Sequence, residues 1–205
     1  MTSKTNGSRP HGARGFTLIE MIGVLAVIAI LAALLIPKVF SAINSARVNG
    51  VCVSLDTVKT ALVDHYGKYG NFDQQFGTNG VLTFPGGIST GYDTNILMFE
   101  GLLDKPFLAA IATNATIEIC QSTHANNGSP ASAYSLGGVG IGLTTNATYT
   151  IEAKLMGVST ADAKDLNDRI DGTALGAPIG SVDNVGRVEY QNDIAGTVYI
   201  YLTHR

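Results

Sequence analysis

Cysteine is scarce: Cys52 and Cys120 are the two in 205 residues. Two thiols are too few for a disulfide framework, and without a CxxC pair they carry no zinc signature. Basic clusters are missing after residue 14, and 13 Lys and Arg stand against 16 Asp and Glu. That balance excludes the electropositive groove a nucleic acid needs, so no direct nucleic-acid partner is expected. Histidine is rare too. His65, His124 and His204 stand far apart without H-x-x-x-H spacing, and His11 lies in the first fifteen residues, so no catalytic metal site is expected. Acid is absent from residues 1–15, "MTSKTNGSRPHGARG", which carry Lys4, Arg9 and Arg14. Gly and Pro disfavour a helix there, leaving a positively charged leader. Apolar residues, by contrast, make up 45% of the chain, which excludes a wholly disordered protein.

The apolar content is concentrated first in Phe16 to Ile36, where Glu20 is the single charged residue. As a helix this run covers about 30 Å, the hydrocarbon thickness of a bilayer. The cations before the run outnumber Lys38 and Arg47 after it, which favours a cytoplasmic N-terminus with the remainder beyond the membrane. A carboxylate in hydrocarbon costs about 2.5 to 3.5 kcal/mol at the centre of a helix and less near its end. Such a group calls for a cation. Cleavage after Gly15 would create one, because Phe16 would gain a free α-amino group one turn from Glu20, at matching depth in an array of parallel copies. On this reading Glu20 stays unsatisfied until Phe16 is freed. The bland alternative is a plain signal anchor with a snorkelling carboxylate, which has no need of Gly15, Phe16 and Glu20 at this spacing.

"RGFTLIE" followed by "MIGVLAVIAILAALL" closely resembles the N-terminal signature of type IV pilins and of the pseudopilins of type II secretion. The resemblance implies that a prepilin peptidase cuts between Gly15 and Phe16 and methylates the new amine of Phe16. It also implies that Glu20 neutralises the amine of a neighbouring subunit, and that Pro37 is a helix-bending proline. The implied protein has no enzymatic activity and no cofactor. Its partners would be copies of itself in a filament, the peptidase, an inner-membrane assembly platform and, before assembly, the bacterial inner membrane. After assembly it would lie at the cell surface or in the periplasm. The close match covers about residues 14 to 40, so it speaks to processing more than to whether the filament is a pilus or a pseudopilus.

Beyond Pro37, Phe40, Ile43, Val51, Leu55, Val58, Leu62 and Tyr66 recur mostly at three or four residues, predicting an amphipathic helix over 37–66. Pro37, Gly23 and Gly50 should bend or locally melt the rod. Most of the 24 glycines lie from residue 67 onward, which marks a loop-rich head over 67–205. There "TNILMFEGLLDKPFLAA" suggests a short helix stopped near Pro106. Strand candidates are Thr116 to Cys120, Thr148 to Leu155, Gly186 to Gln191 and Thr197 to Thr203. "GVSTADAKDLNDRIDG" reads as a helix capped by Ser159 or Thr160, with Gly172 past its end and a solvated acidic face. The fold class is therefore α+β: a long N-terminal helix, part anchor and part amphipathic, packed on an antiparallel sheet of about four strands. Val198, Ile200 and Leu202 should face that helix.

Several patterns suggest chemistry and have bland readings. "GISTG" at 87–91 fits G-x-S-x-G, but the motif works only on a tight strand-to-helix elbow with a histidine and an acid downstream, so in a Gly- and Pro-rich loop Ser89 reads as coincidence. Asp162, Asp165, Asn167, Asp168 and Asp171 offer oxygens of the kind calcium takes, and some secretion pseudopilins bind calcium in the head, yet the glycine and spacing of an EF-hand are missing. Cys52 and Cys120 are candidates for one disulfide worth roughly 3 to 5 kcal/mol, against two buried thiols. The Asn-x-Ser/Thr triplets at Asn114 and Asn146 are frequent by chance in such a composition. The rival from another class is a membrane-anchored hydrolase or ligand-binding ectodomain.

Overall fold

A computed structural model describes residues 15–72, 88–121, 134, 149–173, 183, 186–191 and 196–204. The elements, in order, are helix α1 (Leu18–Tyr69), strands β1 (Ile88–Thr90), β2 (Asn114–Gln121) and β3 (Tyr149–Met156), helix α2 (Thr160–Ile170), and strands β4 (Val188–Gln191) and β5 (Thr197–His204). By their contacts the residues form two compact units, Met1–Ile43 and Asn44–Arg205.

In the first unit every described residue, from Gly15 to Ile43, is exposed. Helical structure continues through Pro37 and Gly23, which corrects the expected local melting. A proline removes one backbone bond and crowds the preceding turn, and the straight-chain and small residues on either side, "AILAALLIPKVF", keep the remaining ladder. Phe40 and Ile43 are 68% and 51% exposed, so the first two residues of the expected apolar stripe enter no core among the described residues.

The second unit is built on the rest of α1. Val48, Val51, Leu55, Val58, Ala61, Leu62 and His65 form its buried stripe at helical spacing. Tyr66 stays 40% exposed, so the stripe ends at His65 rather than at the tyrosine. The helix stops at Gly70, whose φ of 71° and N–H bond to Tyr66 O end the turn, while Gly67 is still helical. The residues of α1 from Asn44 onward therefore fall with the head, whose core they complete.

Among the described residues, five strands, all antiparallel, run in the order β1-β2-β3-β5-β4. The four expected strands are present with small shifts at their ends; β1 is the addition. It lies inside "GISTG", with Ser89 opposite Ile119 in mid-strand rather than on an elbow. Alternation sorts the side chains. Ile117, Ile119, Ile151, Ala153, Leu155, Val188, Val198, Ile200 and Leu202 join the α1 stripe in one core. Glu118, Cys120, Thr150, Glu152, Glu189 and Tyr199, at the intervening positions, are buried on the other face.

Two local expectations are sharpened. The helix around "TNILMF" is a single π-helical turn, Asp93–Leu97, not a helix reaching Pro106. Asp93 is the reason: its buried carboxylate accepts the Phe107 N–H at 2.8 Å, which turns the chain back. Helix α2 has Ser159 as N-cap, accepting the Asp162 N–H, and Gly172 just past its end at φ 85°.

Candidate functional site: the start of the long helix

The backbone is not helical at Gly15, Phe16 and Thr17, and α1 opens at Leu18. Thr17 is its cap. The Glu20 N–H donates to Thr17 Oγ1 at 3.3 Å, and both the N–H and the hydroxyl of Thr17 donate to Glu20 Oε2 at 2.7 Å. This is a reciprocal capping box, with threonine at the cap and glutamate three residues on. It corrects the expectation that Glu20 waits unsatisfied for a cation. The signal is present in "TLIE", a Thr-x-x-Glu spacing before an apolar run.

The capping has a chemical consequence. Both Thr17 bonds fall on Oε2, so Oε1 keeps its lone pairs, and a carboxylate has room for about four acceptor contacts. Glu20 is therefore able to hold its own helix start and still accept a second, cationic donor. Phe16, 79% exposed and outside the helix, leaves the Gly15–Phe16 bond without helical hydrogen bonding to protect it. The apolar run that follows reaches a mean hydropathy of 2.8 over its best 18-residue window and is exposed all round, as a membrane-crossing or filament-packing helix must be.

The other sequence-singled residues are dispersed. Cys52 is half-buried on α1, and Cys120 lies on the sheet face turned away from it; neither is in a disulfide, so the candidate bridge is not formed. Strand alternation decides this, since Ile119 takes the helix-facing position and its neighbour Cys120 points the opposite way. Burial pushes the Cys52 thiol pKa up, with the nearby Arg169 opposing it. The acids of α2 are shared among donors of the chain: Asp165 with Arg169 at 3.0 Å, Asp168 with Lys164 at 2.8 Å, Asp162 with Ser159 and Asn44, and Asp171 with the N–H groups of Arg187 and Val188. Asn167 is buried and donates to Asp183 at 2.5 Å, so the helix is not simply a solvated acidic face.

His65 is buried, with Nδ1 at 2.8 Å from Glu100 Oε2 and its ring among Tyr69, Phe72 and Tyr92. His204 meets the Tyr201 hydroxyl on β5. Asn114 opens β2 and is exposed. Lys4, Arg9, His11, Arg14, His124 and Asn146 lie outside the described residues.

A long N-terminal helix with an apolar start, together with an antiparallel sheet, is a pilin-like α+β architecture. Residues 10–36 match the family described as the prokaryotic N-terminal methylation motif. The chain is also similar to the type IV major pilin protein PilE1 of Neisseria gonorrhoeae, at 27% identity over 101 residues, 49% of this chain and 61% of that pilin. No solved structure matches it significantly. The motif and the relative support a likeness to the type IV pilin and pseudopilin family.

Proposed function

We propose that this chain is a structural, non-enzymatic subunit of a type IV pilus-like filament. It is cleaved between Gly15 and Phe16 by a prepilin peptidase, methylated on the Phe16 amine, held in the inner membrane by its apolar helix and then moved through an assembly platform into a fibre. The observation that carries this reading is the fully exposed apolar start of α1 directly behind the Gly15, Phe16 and Glu20 motif. In a fibre the helices bury that surface against one another, and Glu20 Oε1 receives the Phe16 amine of a neighbour while Oε2 remains on Thr17. The pairing favours copies in matched axial register, because a slipped neighbour leaves a carboxylate and an amine desolvated and apart.

Mass spectrometry of the mature N-terminus tests the reading. Methylated Phe16 as the first residue is the expected result, whereas an intact leader or a cut after Ile36 defeats it. Glu20→Ala should abolish filaments while the circular dichroism of the head is unchanged. Electron microscopy of whole cells then separates surface fibres from a periplasmic pseudopilus.

A further inference from the structure

The sheet face turned away from α1 buries three carboxylates, Glu118, Glu152 and Glu189, with Cys120 beside them. One ligand atom from each of Glu118, Cys120 and Glu152 lies within 4.8 Å of the others. Cys120 Sγ is 3.5 Å from Glu152 Oε1. Thiolate sulfur and carboxylate oxygen on a tetrahedral zinc ion, at about 2.3 and 2.0 Å from the metal, stand about 3.5 Å apart.

A second observation points into the same place. Glu118 Oε2 and Thr150 Oγ1 are buried polar atoms that have no hydrogen-bond partner, and Glu118 and Thr150 are 1% and 0% exposed. Thr150 is the register partner of Cys120, so its hydroxyl shares that face and that level of the sheet. Buried polar groups in folded proteins are almost always satisfied, and two orphans beside two carboxylates and a thiol mark a site that lacks its ligand.

The outer contacts are those of a coordinated site. The Tyr134 hydroxyl donates to Glu152 Oε2 at 2.7 Å, and the Cys120 thiol donates to Oε1 at 3.5 Å. Lys154 Nζ sits 3.5 Å from Glu118 Oε1, leaving Oε2 open. Tyr134 and Lys154 thus hold the two carboxylates as outer-shell groups hold metal ligands, and the thiol proton shared between Cys120 and Glu152 is the one a metal ion would displace.

We propose that Glu118, Cys120 and Glu152 bind a zinc ion that ties β2 to β3. A mixed sulfur and oxygen set suits zinc, whereas calcium and magnesium take oxygen alone. On binding, Cys120 loses its thiol proton to solvent, and no redox change is involved.

The test uses the full chain in detergent, stripped with chelator and dialysed against zinc alone. One zinc per chain by elemental analysis is expected, with a rise in Tm that chelator reverses. Cobalt in its place should give a thiolate-to-metal charge-transfer band, lost in Cys120→Ser and kept in Cys52→Ser. Tyr134→Phe keeps all three ligands and should weaken zinc about 10- to 100-fold. If Cys120→Ser does not fold, Glu118→Gln with Glu152→Gln decides, because it removes buried charge and should fold without binding. Absence of retained zinc, or a cobalt band that survives Cys120→Ser, overturns the proposal.

Discussion

At the scale of single residues, Thr17 and Glu189 carry the most direct consequences. Thr17→Ala removes the side-chain cap of the Glu20 N–H and the hydroxyl bond to Glu20 Oε2, leaving the backbone N–H of residue 17 on the carboxylate. A lost cap costs about 1 kcal/mol, so the Glu20 amide should exchange roughly five-fold faster in a hydrogen-exchange measurement on the micelle-bound chain, with the head amides unchanged. Glu189 faces Tyr199 across the β4/β5 pair, and burial, then Glu152, Asp183 and Asp171, push its pKa from 4.5 up to about 8. The folded chain therefore holds this proton where the unfolded chain has released it. Stability is full below about pH 4.5 and declines as pH rises toward 8. Thermal melts in chelator between pH 5 and 9 should show Tm falling by several degrees, and Glu189→Gln should flatten that slope. An unchanged slope in the variant would show that Glu189 does not hold the proton.

At the scale of elements, the joint between α2 and β4 depends on one carboxylate. Asp171 ends α2, and its nearly buried side chain accepts the N–H groups of Arg187 at 2.7 Å and Val188 at 2.8 Å, with Arg187 Nε at 3.5 Å. Asp171→Ala strands two amides, and at about 1 to 3 kcal/mol for an unsatisfied buried group the loss should be seen as a urea midpoint lowered with the slope unchanged. A second joint is held by backbone: Gly196, at φ 55°, opens β5, and its carbonyl accepts the Val158 N–H at 2.9 Å. A Cβ there would lie 2.1 Å from Val158 O, so Gly196→Ala should lower Tm more than an ordinary surface substitution. Neither contact was legible beforehand, since Asp171 reads as one more acid on a polar helix and Gly196 as one glycine of 24. The strands and α2 were legible because alternation and capping are local. Strand β1 was not: it has three residues, in a Gly-rich stretch, and exists through pairing with β2.

At the scale of the whole molecule, α1 serves two units with one helical periodicity. Its residues from Val48 to His65 belong to the head core, while its apolar residues up to Ile43 are exposed. Leu62→Ala should therefore cost the head about 2 to 5 kcal/mol, whereas Leu31→Ala should leave head unfolding unchanged and affect only membrane residence or filament stability. Equal effects of the two on head melting would contradict this division. Val51, Leu55, Val58 and Leu62 were readable as a stripe, yet Phe40 and Ile43, named with them, are exposed and meet no core among the described residues. Periodicity reports that a face is apolar, not what covers it.

What the amino-acid sequence by itself determined is whatever depends on neighbours along the chain: the acid-free first fifteen residues, the apolar span with its single carboxylate at Glu20, the cap at Ser159 and the alternating strands. These follow from short-range geometry and from the solvent each segment prefers. What only the tertiary structure decided is which side chains meet across strands. It turned Cys120 away from Cys52 and toward Glu118 and Glu152, and it placed Thr150 opposite the thiol. The reason is register: "TIEIC" and "TIEAK" look alike as sequence, and only the pairing of β2 with β3 brings their acidic positions face to face.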